Sequence, residues 1–230
     1  MGAKWVFRLA VVAAIAMLAI ATLMSVTAPP CNPLPMSTLT AFELARTSAD
    51  LQRIFGEAGA ACRSELVAQL DHANQIDSVA YIPAYTAFYG LVLYALGRRD
   101  RALGWTGVII VVASALADWV ENYSMFELTA WTSESAALSS LQVSTQIKWI
   151  GLAVATTIAG LMLVRRGGFG WAALIPCAAP LVTSLWSLAA PDAAGQYLIP
   201  GMTIASVMLL AVAVVCSFRN DGSPPQPVIA

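Results

Sequence analysis

The sequence predicts an all-α fold: a polytopic transmembrane helical bundle of six spans with both termini cytoplasmic, plus a helical extracytoplasmic loop. Three observations carry this. Six apolar runs each approach the roughly 20 residues that a helix needs to cross a hydrocarbon core of about 30 Å. Of 230 residues, 59% are hydrophobic and only 11% are charged, less than half the charge of a usual soluble domain. Basic residues cluster at alternate run ends. This composition excludes a water-soluble globule and a disordered chain. The net charge of −1 leaves no basic field to attract nucleic acid.

The runs cover 9–28, 79–96, 102 to about 126, about 141 to 164, 169–190 and 197–218. None shows the short alternating segments of a membrane barrel. Lys4 and Arg8 precede the first run. Arg98, Arg99 and Arg101 fill the turn after the second, Arg165 and Arg166 the turn after the fourth, and Arg219 follows the sixth. Cytoplasmic loops carry the excess of such residues. All four clusters then agree on six spans with both termini cytoplasmic.

The first run also has the features of a signal peptide, with Val26, Thr27 and Ala28 as a cleavage site. Pro29 directly after that site favours a retained anchor; cleavage would leave five spans. The expected organisation is a first span at 1–28, an extracytoplasmic helical loop at 29–77, a five-span bundle at 78–219 and a disordered cytoplasmic tail at 220–230.

The loop opens on Pro29, Pro30, Pro33 and Pro35. Thr40 and Glu43 have the spacing of a capping box. Leu44, Leu51, Ile54 and Phe55 follow at helical spacing, leaving Arg46, Asp50 and Arg53 for the wet face. Gly56 and Gly59 end that helix, and a second, from about 61 to 76, runs into the second span. The expectation is a helical hairpin packed on the tops of the spans; the alternative is an amphipathic lid on the membrane. Cys31 and Cys62 fall in this loop, on the oxidising side, and are expected to form a disulfide. Cys177 and Cys216 lie in apolar runs and read as small core residues.

Charged residues inside a span are costly. Asp118, Glu121 and Asn122 lie in the third run at spacings that put them on one side of a helix. Below them Ser114, Val111 and Gly107 form a stripe suited to close helix contact. Lys148 opens the fourth run above Gly151, Ala155 and Ala159. Asp118 lies 17 residues beyond Arg101, Lys148 17 before Arg165 and Tyr81 17 before Arg98. At about 1.5 Å per residue all three sit roughly 25 Å above the cytoplasmic face. Asp77 and Glu121 lie about one turn further out.

These depths predict one ligand-binding or ion-pair cluster near the outer face. Its members are Asp77 and Tyr81, with Tyr85 next in the ladder Tyr81, Tyr85, Tyr89; then Asp118, Glu121 and Asn122; then Lys148. Two readings stay open. In one, Asp118 or Glu121 pairs with Lys148, the second carboxylate meets Asn or Tyr donors, and the assembly fixes helix register. In the other, the set is an outward-opening site for a ligand, cation or proton. Pro83 is expected to bend the second span. Pro176 and Pro180 are expected to kink the fifth, where Thr183, Ser184 and Ser187 can satisfy the freed carbonyls.

No metal and no cofactor are expected. His72 is the only histidine, no G-x-S-x-G elbow is present, and the glycines around 167–170 lack the Lys-Ser/Thr of a P-loop. Trp105, Trp119, Trp131, Trp149 and Trp171 fall mostly near span ends, as interface anchors do.

Phe42, Glu43, Leu44 and Ala45 open the outer helix, Asp77 precedes Ala84 and Tyr85, and Leu116, Ala117 and Asp118 precede Glu121 and Asn122. In these motifs, within about the first 130 residues, the chain resembles a group of uncharacterised bacterial multi-spanning integral membrane proteins. The resemblance implies that the acidic positions recur in such proteins. It brings no activity, cofactor or catalytic residue. The leading functional expectation is a non-enzymatic accessory or assembly protein, partnered by the lipid bilayer and by other membrane proteins. The alternatives are a binder or transporter of a small cationic or polar ligand through the acidic cluster, and a membrane enzyme on a lipid or quinone substrate.

Overall fold

The computed structural model describes residues 3–130, 134–167 and 170–218. The described residues are all-α, with six helices long and apolar enough to cross a membrane. The first is α1 (Ala3–Leu23). Outside follow α2 (Thr38–Glu43) and α3 (Ser48–Phe55). The second span is a continuous rod of α4 (Arg63–Ile76), a π-helical turn (Asp77–Tyr81) and α5 (Ile82–Leu96). The remaining spans are α6 (Arg101–Ala130), α7 (Glu134–Val164), α8 (Gly170–Ala189) and α9 (Pro191–Phe218). Each packs on its neighbours in the chain, and α9 returns to α1 and closes the ring. The tail 220–230, Arg219 and Trp131 lie outside the described residues.

Three expectations are corrected here. The loop helix read from Thr40 to Phe55 is two helices. Ser37 caps the first, accepting from Thr40 N, while the capping box belongs to Thr47 and Asp50. Thr40 therefore sits buried within α2, and Glu43 ends that helix with its side chain free to turn inward. Pro83 acts through more than a bend. It has no N–H for the carbonyl four residues back, and upstream of it Ile82 N bonds Asp77 O, five residues back. The π turn so made carries Asp77. In α8, Thr183 Oγ1 donates to Pro180 O, Ser184 Oγ to Trp149 O and Ser187 Oγ to Ser184 O, not to the carbonyls of Ala172 and Pro176 that the prolines free.

The extramembrane hairpin packs on the tops of the spans, as expected. Phe42, Leu51, Ile54 and Phe55 form one apolar cluster with Met125 and Leu128 of α6 and Leu141 of α7. Cys31 and Cys62 are disulfide-bonded, with Cα atoms 5.5 Å apart. Arg46, expected on the wet face, donates to the carbonyls of Ser187 at 2.7 Å and Leu188 at 3.0 Å; it caps the last turn of α8. Gln69 Oε1 accepts from Thr27 N and Ala28 N, each at 2.8 Å, and ties the exit of α1 to α4.

At the opposite end Arg165 pairs with Asp100, and Arg166 donates to Leu96 O at 2.7 Å. There α5 and α6 approach through Gly97 and Gly104. A Cβ on Gly104 would lie 2.6 Å from Gly97 Cα and 3.2 Å from Leu93 O. Backbone atoms on two helices cannot yield locally. Gly104→Val is expected to cost about 1–3 kcal/mol, read as a lower thermal transition in detergent. Gly90→Ala, which meets nothing within 4 Å, is expected to leave that transition unchanged or raise it.

Candidate functional site

Lys148 is the hub of a buried polar cluster built from four parts of the chain. One helical turn apart, Asp118 and Glu121 present their carboxylates from α6 to α7. Lys148 Nζ stands 3.2 Å from Asp118 Oδ1 and 2.7 Å from Glu121 Oε2. A third carboxylate arrives from the loop: Glu43 Oε1 lies 3.1 Å from the same nitrogen. Only Glu43 accepts a hydrogen bond from the ammonium; Asp118 Oδ1 and both oxygens of Glu121 are buried without a hydrogen-bond partner among the described residues and meet Lys148 as ion pairs. Lys148 is 5% exposed and Glu121 fully buried, so the charges rely on one another for solvation.

The neighbours hold these acids in place. Tyr85 donates its hydroxyl to Asp118 Oδ2 at 2.9 Å, and Trp149 Nε1 donates to Glu43 Oε2 at 3.2 Å. Asn122 Nδ2 donates to Asp77 Oδ2 at 2.5 Å and to Ser78 Oγ at 3.0 Å. Tyr81 packs edge-on to Tyr85 with centroids 5.7 Å apart. One further turn in, the hydroxyls of Tyr89 and Ser206 bond at 2.7 Å, linking α5 to α9. Close helix approach makes this possible: a Cβ on Gly151 would collide with Ser114 Oγ.

All seven residues expected to cluster do converge: Asp77, Tyr81, Tyr85, Asp118, Glu121, Asn122 and Lys148. Two further members escaped the sequence. Glu43 was read as a cap, and its spacing from Thr40 satisfied that reading. Trp149 was read as an interface anchor. Trp119, another such anchor, donates to Ser78 O at 2.8 Å. The sequence signal for Glu43 is its place in the Phe42–Ala45 motif, an acid flanked by Phe42 and Leu44.

Beside the cluster lies a cavity of about 370 Å³. Asn74, Asp77, Tyr81, Tyr85, Glu43 and Lys148 form its polar wall. Met17 and Leu18 of α1, Leu152 of α7, and Ile199 and Met202 of α9 form its apolar wall. Asn74 is 1% exposed, yet its Nδ2 has no hydrogen-bond partner among the described residues. A buried donor left unmade costs about 1–3 kcal/mol. No family model matches this chain, and no curated protein or solved structure is detectably similar to it. The site stands on its own geometry. The short motifs of the outer helix and of the second and third spans contribute Glu43, Asp77, Tyr85, Asp118, Glu121 and Asn122, and all of them meet here.

Chemically the set divides in two. Asp118, Glu121 and Glu43 pair in charge with Lys148 and lock three elements together. Asp77, Asn74 and Tyr81 border the cavity, and they can meet a guest without dismantling the hub.

Proposed function

We propose that the protein binds a small cationic or polar ligand in the outer half of its bundle, against Asp77. The observation that carries this reading is the cavity of about 370 Å³, whose polar wall presents Asp77 and the unpartnered amide of Asn74. Its size falls within the range of about 300–1,000 Å³ usual for small-molecule sites. Charge favours a cation. Glu43, Asp77, Asp118 and Glu121 supply four carboxylates against the one ammonium of Lys148. The membrane is the bacterial cytoplasmic one, with the cavity toward the outside. Arginines at the turns after α5 and α7 and a disulfide at the other end support that orientation.

The test is thermal unfolding of the detergent-solubilised chain with added ethylammonium. A ligand that binds only the folded state raises its stability. The expected result is a concentration-dependent rise, absent with ethanol and absent in Asp77→Asn. An identical response in folded wild type and Asp77→Asn, or none in either, contradicts the proposal.

A second reading, an accessory or assembly protein, is favoured by one observation. The Lys148 hub is closed on itself, and it ties α2, α6 and α7 together without any guest. The two readings share the cluster: the hub holds the helices, and the Asp77 wall binds.

A further inference from the structure

We propose that the ligand is a single-chain membrane amphiphile with a protonated amine head, taken sideways from the outer leaflet between the first and last spans. This rests on the reading that the cavity binds a ligand at Asp77, and it specifies the class. The first observation is where the apolar wall lies. The cavity is lined by Met17, Leu18 and Ala21 of α1, by Met24 just past its end, and by Ile199, Met202, Thr203 and Ser206 of α9. Leu18 and Ile199 line it and are 42% and 43% exposed. Ala21 and Thr203, on the same two helices, line it and are exposed as well. Toward the other end of α1, Val6, Phe7 and Ala10 are buried with Leu209 and Ala213 of α9 in one core. Met17 and Met202 belong to that same core, so the window onto lipid is the exposed part of the lining, Leu18, Ala21, Ile199 and Thr203.

The second observation is the polar wall at the end of that window. Asp77 accepts from Asn122 through one oxygen and borders the cavity. Asn74 stands one helical turn away, buried, with an unmatched N–H₂. An amine donates to the carboxylate, and an acceptor next to it, such as a hydroxyl oxygen, takes the amide. Three carboxylates stand within 3.2 Å of Lys148 and would repel a phosphate that approached it. An anionic head would meet unpaired acids. An uncharged small solute would leave the exposed Leu18 and Ile199 without a partner. A chain from the bilayer fills that wall and continues into lipid.

The experiment uses the full chain in phosphatidylcholine vesicles and a dodecylamine that carries a diazirine midway along its chain. Irradiation is expected to label Met17, Ala21, Met202 or Thr203, as mapped by mass spectrometry of peptides. Unlabelled dodecylamine displaces the label and dodecanol does not; an amino alcohol of the same chain length displaces it better. Asp77→Asn and Asn74→Leu each lower labelling by about tenfold, as expected for the loss of one charged or buried hydrogen bond. Leu18→Trp fills the window, so it removes the label while ethylammonium still stabilises the variant. Labelling spread over the lipid-facing helices and not displaced overturns the lipid inference, while ethylammonium binding leaves the smaller-ligand reading in place. Equal displacement by dodecanol overturns the amine assignment. Failure of both dodecylamine and ethylammonium overturns the inference and the reading beneath it.

Discussion

Replacing Lys148 by methionine is expected to destabilise the protein by about 3–5 kcal/mol, the cost of leaving buried charges without their partner. Three carboxylates lie within 3.2 Å of its nitrogen, and Asp118 and Glu121 are almost fully buried. Methionine keeps the packing volume and removes only the charge, so the loss is electrostatic. Thermal or denaturant unfolding in detergent reads it. Adding Glu121→Gln to Lys148→Met is expected to recover part of the loss, because neutralising a deserted acid removes a penalty that exists only in the first variant. An unchanged transition in Lys148→Met would mean that the hub does not hold the helices together.

Removing the disulfide has the second large effect. Cys31 and Cys62 are separated by 31 residues and close a loop that carries α2 and α3. The loop-entropy relation gives about 3–4 kcal/mol for a closure of this length. Cys31→Ser is therefore expected to loosen the extramembrane hairpin and, with it, Glu43. Reductant applied to the wild type should reproduce the effect, and it should do nothing further to Cys31→Ser. Protease accessibility around 44–60 distinguishes local from global loosening. An unaltered cleavage pattern on reduction would show that apolar packing of Phe42, Leu51 and Phe55 is sufficient alone.

The spans were legible because hydrophobicity over about 20 residues is a local property. The acidic cluster was legible because depth along a helix is a count: Asp118, Lys148 and Tyr81 stand at equal distances from their arginines, and they meet. Lateral neighbours were not legible. Nothing near Glu43 announces a lysine 105 residues away, and its spacing from Thr40 offered a local partner that it does not use. The capping box went instead to Thr47 and Asp50, where Leu44 and Ala45 end the preceding helix. The π turn at Asp77 follows from Pro83, yet where its extra residue would point depends on α6, which supplies Asn122. The cavity was invisible for the same reason. Its lining comes from α1, α2, the second span, α6, α7 and α9, which lie far apart in sequence.

The most direct test of the central claim is an experimental structure of the full chain in a lipid nanodisc, solved with dodecylamine present. Density is expected between α1 and α9, ending within hydrogen-bond distance of Asp77 and Asn74, with the Lys148 hub intact. A closed gap, with α1 and α9 in contact along Leu18 and Ile199 and Asn74 bonded within the protein, would contradict it.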